Sequence, residues 1–276
     1  VTGVQTCARP IWGNIYLQIH MSETAEFKAR DQDALAKAYE SYQKSLELDT
    51  KKEFYTETIQ NLLIISEQFY NQGVKFFTAD PADFASAVKA FEGAVQVSES
   101  FGNTDTLAMF NAAMSADNGK DFSNAKLYYN KARTLGYKQP RIYNALSNIA
   151  LEEKDTTAAL SIIKEGREKY PEDFDILIAE TNIYLSTKQN DKAIDNLTAA
   201  VEKDPMNPTI HYAVGVTYAG MGKEAEAEAA YKQAVELKND YFEANYNLGA
   251  LYVNQAAGFI EQANKLPLSA TKAYDE

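Results

Sequence analysis

The sequence predicts an all-α fold, a solenoid of antiparallel helix hairpins, and three observations carry that reading. Alanines stand at Ala125, Ala159, Ala193 and Ala227, each 34 residues after the last. A second series of small residues, Ala132, Gly166, Ala200 and Ala234, runs in the same register. Between the two lie Tyr129, Ile163, Leu197 and Tyr231, so each copy reads small, large, small at i, i+4 and i+7 on one helical face. Tyr184, Tyr218 and Tyr252 keep the same step on another helix, and Pro171 and Pro205 keep it just past a helix end. Several series sharing one period mark stacked copies of a single supersecondary unit, because one such unit cannot bury its apolar face alone.

These residues resemble the tetratricopeptide repeat, a helix-turn-helix unit of 34 residues. In the register that starts at Pro208, His211 stands in place of the usual tryptophan. Val214 and Gly215 match the Leu-Gly step, and Tyr218, Gly222, Ala227, Tyr231 and Ala234 match in turn. The eighth position is small in nearly every copy, as Gly73, Ala113, Ser147, Thr181, Gly215 and Gly249, since the two helices of a unit cross closely there.

Taken along the chain, residues 1–11, VTGVQTCARPI, fit neither a targeting signal nor the helical pattern, and resemble a translated sequencing-adapter segment. Residues 12–50 read as a partial first unit: Gly13 and Tyr16 on its first helix, Ala38, Tyr42 and Ser45 on its second, with a polar insertion from Met21 to Asp33. Residues 51–105 read as an extended unit with a long first helix, bearing Gly73 and Phe76 and then Ala87, Phe91 and Ala94, with two extra loop residues around Thr78 to Phe84. Residues 106–241 hold four regular units, starting at 106, 140, 174 and 208. Residues 242–276 begin a unit with Leu248, Gly249 and Tyr252 and then depart, because Glu261 and Lys265 occupy the expected alanine and aromatic positions. No turn signal interrupts Asn254 to Asn264, so a single helix of about 24 residues, roughly 36 Å long, is expected to end at Leu266-Pro267, with Ser269 placed to cap a following one. Neither end carries a polar capping helix, so both read as truncations.

Composition removes several function classes. With 27 basic and 39 acidic side chains the net charge is −12, the wrong sign for a surface that tracks phosphates, so no nucleic-acid partner is expected. One cysteine, Cys7, and two histidines, His20 and His211, supply neither a disulfide nor a zinc site. No apolar run approaches the roughly 18 residues of a membrane span, and no transmembrane segment is expected. There is no Gly-rich phosphate loop, no Gly-x-Ser-x-Gly elbow and no convergent Ser, His and Asp set, so neither a catalytic site nor a cofactor is expected. The pairs Glu152-Glu153 and Glu172-Asp173 fall at turns and helix ends, where carboxylates cap or solvate. His211 is assigned to packing between the helices of its unit.

What remains is the role the resemblance implies: a protein-protein interaction scaffold, curved into a superhelix whose concave groove binds an extended segment or helix of a partner. In this family the fifth and ninth positions of each first helix point into that groove. Here the fifth are Tyr70, Phe110, Asn144, Ile178, Tyr212 and Tyr246, and the ninth are Val74, Met114, Asn148, Asn182, Val216 and Ala250. The partner-binding candidates are Tyr70, Phe110, Asn144, Asn148, Asn182, Tyr212 and Tyr246. Asparagine offers donor and acceptor to a peptide backbone, and aromatic rings supply contact area at small entropic cost. The same rings would equally well pad adjacent first helices, and the sequence leaves both roles open. No fifth position is basic, and Lys75 and Arg141 lie elsewhere, so the lysine clamp that some members use on a chaperone carboxylate is excluded. The acidic balance favours a basic partner. A second reading makes the array the regulatory or substrate-presenting part of an enzyme or envelope assembly whose other domain lies outside this chain. The phrases YNLGALY and ANKLPL resemble long bacterial members, many of them envelope-associated, which implies export.

Overall fold

The computed structural model describes residues 10–265. Cys7, nearly all of the adapter-like segment, the Leu266-Pro267 step and Ser269 lie outside the described residues.

Among the described residues there are fourteen helices and no strand. They divide between Ile149 and Ala150 into two compact units. The first contains α1 (Ile11–Met21), α2 (Ala25–Lys28), α3 (Ala34–Leu48), α4 (Tyr55–Phe77), α5 (Phe84–Ser100), α6 (Thr106–Asn118) and α7 (Phe122–Thr134). Helix α8 (Arg141–Glu152) straddles the division. The second contains α9 (Thr156–Lys169), α10 (Phe174–Ser186), α11 (Asn190–Lys203), α12 (Pro208–Gly220), α13 (Glu224–Leu237) and α14 (Phe242–Asn264). The polar insertion from Met21 to Asp33 holds the short helix α2.

Within each unit the packing is local. In the first, α1 packs on α3, α3 on α4, α4 on α5, α5 on α6 and α6 on α7. In the second the succession runs from α10 through to α14, with α9 packed on α10. Such nearest-neighbour stacking is the signature of a solenoid, in which each hairpin buries its apolar face on the next. One core gathers Leu17, Leu35, Tyr42, Leu62, Ile65 and Val97 from α1, α3, α4 and α5. Another joins Leu177, Leu197, Ala200, Ile210 and Ala213 from α10, α11 and α12.

The i, i+4, i+7 pattern explains how the hairpins close. A large side chain of the second helix lies over the small eighth position of the first. A Cβ built at Gly13 would stand 2.7 Å from the Tyr42 ring, one at Gly73 2.7 Å from the Phe91 ring, and one at Gly215 2.5 Å from the Tyr231 ring. Glycine is required at these three crossings because the ring occupies the volume of the missing methyl. At Gly249 nothing lies within 4 Å. Helix α14 runs 23 residues without a break, against the roughly 24 expected, and no second helix folds back over it among the described residues.

Six helix starts follow from side-chain capping. The Asp83, Asp105, Asp121, Asp155 and Asp173 carboxylates each accept a backbone N–H three residues on, at 2.8–3.2 Å. Asn207 accepts from the Thr209 N–H at 3.0 Å ahead of Pro208 at the first helical turn. Asp173 is therefore a cap, as its place at a helix end implies, and Glu172 pairs with Lys203 at 3.4 Å.

The turns inside the hairpins show a 34-residue series of their own. Lys120, Lys154, Lys188 and Gly222 all take positive φ, at 60°, 63°, 59° and 72°. The following N–H in each case reaches back to close the helix: Asp121 to Ala116 O at 2.8 Å, Asp155 to Ala150 O at 2.8 Å, Gln189 to Tyr184 O at 2.8 Å and Lys223 to Tyr218 O at 2.9 Å. A left-handed backbone costs a side-chain-bearing residue about 1–2 kcal/mol, of which glycine's greater freedom in the unfolded chain offsets part. Replacing Lys120, Lys154 and Lys188 by glycine is therefore expected to stabilise the protein by about 0.5–1 kcal/mol per site. Urea denaturation of the triple variant checks this; a lowered midpoint would contradict it.

Candidate functional site

In the first unit the fifth-position candidates split by packing. Tyr70, on α4, is half-buried, edge-on to Phe91 with ring centroids 5.4 Å apart, and its hydroxyl accepts from Nδ2 of Asn111 on α6 at 2.8 Å. Phe110 is only 7 % exposed, with its ring 5.9 Å from Tyr129 and 5.3 Å from Tyr137. Its ring thus belongs to the core of the α6–α7 hairpin. Asn144 is half-buried, and its Oδ1 is enclosed without a hydrogen-bond partner. Asn148, one turn further along α8, is exposed.

In the second unit Asn182 is exposed on α10. Tyr212 on α12 is half-buried, its ring 6.0 Å from Tyr231 and 5.2 Å from Tyr241, and its hydroxyl accepts from Nδ2 of Asn247 on α14 at 3.1 Å. Tyr246 is 67 % exposed and stacks, at 6.2 Å, on Phe242, itself 74 % exposed. His211 is half-buried, and its Nε2–H donates to the Pro205 carbonyl at 2.9 Å, a structural bond that fixes the turn before α12.

Tyr70 and Tyr212 therefore share one arrangement. Each is a fifth-position tyrosine whose hydroxyl is held by the sixth-position asparagine of the next first helix. Where the fifth position is Phe110 or Ile178, which have no hydroxyl, the sixth position of the next first helix is Ala145 or Ala213. The asparagines were not among the residues singled out from sequence; the internal pairing of tyrosine with asparagine 35 or 41 residues later is the signal that identifies them.

A cavity of about 140 Å³ opens between α4 and α6, lined by Val74, Phe77, Phe91, Asn111 and Met114. Val74 and Met114 are the ninth positions of these two helices. Asn111 spends an N–H on Tyr70, which leaves its carbonyl oxygen as an acceptor beside an otherwise apolar lining. Chemically this suits an aliphatic side chain with a backbone N–H alongside. Among the described residues no three His, Cys, Asp or Glu side chains converge to hold a metal, and no helix is long and apolar enough to cross a membrane.

Residues 182–222 and 221–255 match the family model described as TPR repeat. A search of curated proteins finds no match. Among solved structures, a MamA protein is 17% identical at a TM-score of 0.50, covering 63% of this chain and 92% of its own. YrrB, described as a TPR protein with an unusual peptide-binding site, is 17% identical at a TM-score of 0.47, covering 76% of this chain and 98% of its own. A thermophilic TPR protein of Thermus thermophilus is 20% identical at 0.45, covering 71% and 99%. At that identity the likeness to the MamA protein is one of fold.

Proposed function

Because this chain is a solenoid of tetratricopeptide repeats, we propose that it acts as a non-catalytic protein-protein interaction scaffold, holding a segment of a partner protein on the face presented by its first helices. The observation that carries this reading is the cavity between α4 and α6, where two exposed or half-exposed aliphatic ninth positions, Val74 and Met114, flank the free carbonyl of Asn111. A partner side chain buried there would gain apolar contact, and the asparagine would pair with the partner's backbone, which is how grooves of this size combine affinity with orientation. Within the first unit Tyr70 is held by its asparagine partner and the exposed amide of Asn148 is open to a partner's backbone; within the second, Tyr212 is held in the same way and the amide of Asn182 is likewise exposed.

The test is the double variant Val74→Glu, Met114→Glu. Both side chains face solvent in part, so the fold tolerates the change, whereas two carboxylates at the cavity must be desolvated by any apolar occupant. Affinity for the partner recovered with the wild-type chain is expected to fall by at least roughly thirtyfold. Unchanged affinity in a variant with an unchanged helical spectrum would overturn the proposal.

A further inference from the structure

A second cavity, of about 540 Å³, lies between α1, α3 and α4 and takes no part in the site described above. Its walls include Leu17, Met21 and Ile64 on the apolar side and Asn14, Gln18, Ser22, Tyr42, Asn61 and the solvent-exposed Glu57 on the polar side. The polar side is pre-arranged. Tyr42 donates its hydroxyl hydrogen to Oδ1 of Asn14, Asn61 Nδ2 donates to the same oxygen at 3.2 Å, and Asn14 Nδ2 donates to Oε1 of Glu57 at 3.0 Å. Both ends of the Asn14 amide are thereby fixed, and the Glu57 carboxylate is held at the cavity by a bond to only one of its oxygens. The other oxygen, together with Oδ1 of Asn61, has no donor among the described residues.

Glu57 is the single charged residue lining this cavity. A concave site with one carboxylate, spare acceptor oxygens, no basic neighbour in its lining and an aliphatic wall is complementary to a cation carried on an apolar stem. We propose that the cavity between α1, α3 and α4 binds a basic side chain, arginine or lysine, of a partner polypeptide, with the cation on Glu57 and Asn61 and the stem against Leu17 and Ile64. The inference rests on the scaffold reading above and names the chemistry of the partner at a separate place on the same unit. The net charge of −12 would draw such a partner in, but the single carboxylate in a shaped cavity is what selects the position.

The experiment uses the full chain and three capped peptides, acetyl-Gly-Leu-Xaa-Leu-Gly-amide with Xaa as arginine, lysine or citrulline, titrated while the side-chain amide resonances of Asn14 and Asn61 are followed by NMR. Arginine and lysine peptides are expected to shift those resonances saturably. Citrulline, which keeps the shape and loses the charge, is expected to bind roughly tenfold more weakly. Glu57→Gln keeps an oxygen for Asn14 to donate to, so the network and the fold survive, and it is expected to reduce arginine-peptide affinity by the same factor. Equal shifts from arginine and citrulline peptides, no shift from any peptide, or an unaffected Glu57→Gln variant would overturn the proposal. These outcomes stand apart from the scaffold reading, which is tested at Val74 and Met114 and not at this cavity.

Discussion

Gly215→Ala is expected to destabilise the second unit by about 2–3 kcal/mol, while Gly249→Ala, the same change at the same repeat position, is expected to stabilise by up to about 1 kcal/mol. The difference arises wholly from what lies across the helix. At Gly215 the new methyl would meet Cδ1 of Tyr231 at 2.5 Å, and that ring is only 3% exposed and packed beside the Tyr212 ring at 6.0 Å, which leaves it little room to move. At Gly249 there is nothing within 4 Å, so only the gain in helix propensity is left. Gly73→Ala should behave like Gly215→Ala, because Phe91 is 2% exposed and 2.7 Å from the new atom. Urea midpoints of the three single variants check the sign. Destabilisation at Gly249 matching that at Gly215 would mean that propensity or an unseen contact, and not the ring-over-glycine crossing, governs these positions.

Raising the pH should unfold the first unit abruptly. Tyr42, Tyr128 and Tyr129 all have phenols pushed well above the ordinary tyrosine range, chiefly by burial and further by the nearby carboxylates of Glu57, Glu92 and Asp117 respectively. A group whose folded pKa lies above its unfolded value contributes stability that is fully present below the unfolded pKa, near 10 for tyrosine, and lost as pH climbs towards the folded one. Each phenol adds a slope of at most about 1.4 kcal/mol per pH unit in that window. The thermal midpoint should therefore be flat from about pH 8 to about 9.5 and drop steeply above about pH 10. Tyrosinate absorbance from these rings should appear together with loss of helical signal. In the triple variant Tyr42→Phe, Tyr128→Phe, Tyr129→Phe the alkaline transition should move upward; an unmoved transition would show that other groups control it.

The 34-residue step was legible in full because it lives in side-chain volume, which a sequence states directly. Ala125, Tyr129 and Ala132 repeat through Ala227, Tyr231 and Ala234, and each series lands on the second helix of a hairpin. The long final helix was equally legible, since the lone Gly258 makes no turn signal between Asn254 and Asn264. Less visible were the features that depend on a neighbouring hairpin. Whether a fifth-position ring faces outward or inward is decided by the adjacent helices, so Phe110 ends in the core while Tyr246 stands exposed, although the pattern treats them alike. Asn111 and Asn247 look like ordinary polar helix residues until the hydroxyls of Tyr70 and Tyr212 are placed beside them. The left-handed lysines left no compositional mark, because lysine has no preference for that conformation; only their register with Gly222 gives them away.

The scaffold reading makes its most direct claim about place: a partner lies on the face shared by α4 and α6. A photo-crosslinking amino acid, p-benzoyl-phenylalanine, put at Met114 probes that face, and the same group at the exposed Lys89 on α5 probes a second helix of the array. Irradiation in the protein's native cells is expected to join one discrete partner to the Met114 derivative and leave the Lys89 derivative unjoined. A partner captured from Lys89 and not from Met114, or equally from both, would contradict the assignment of binding to the first-helix face.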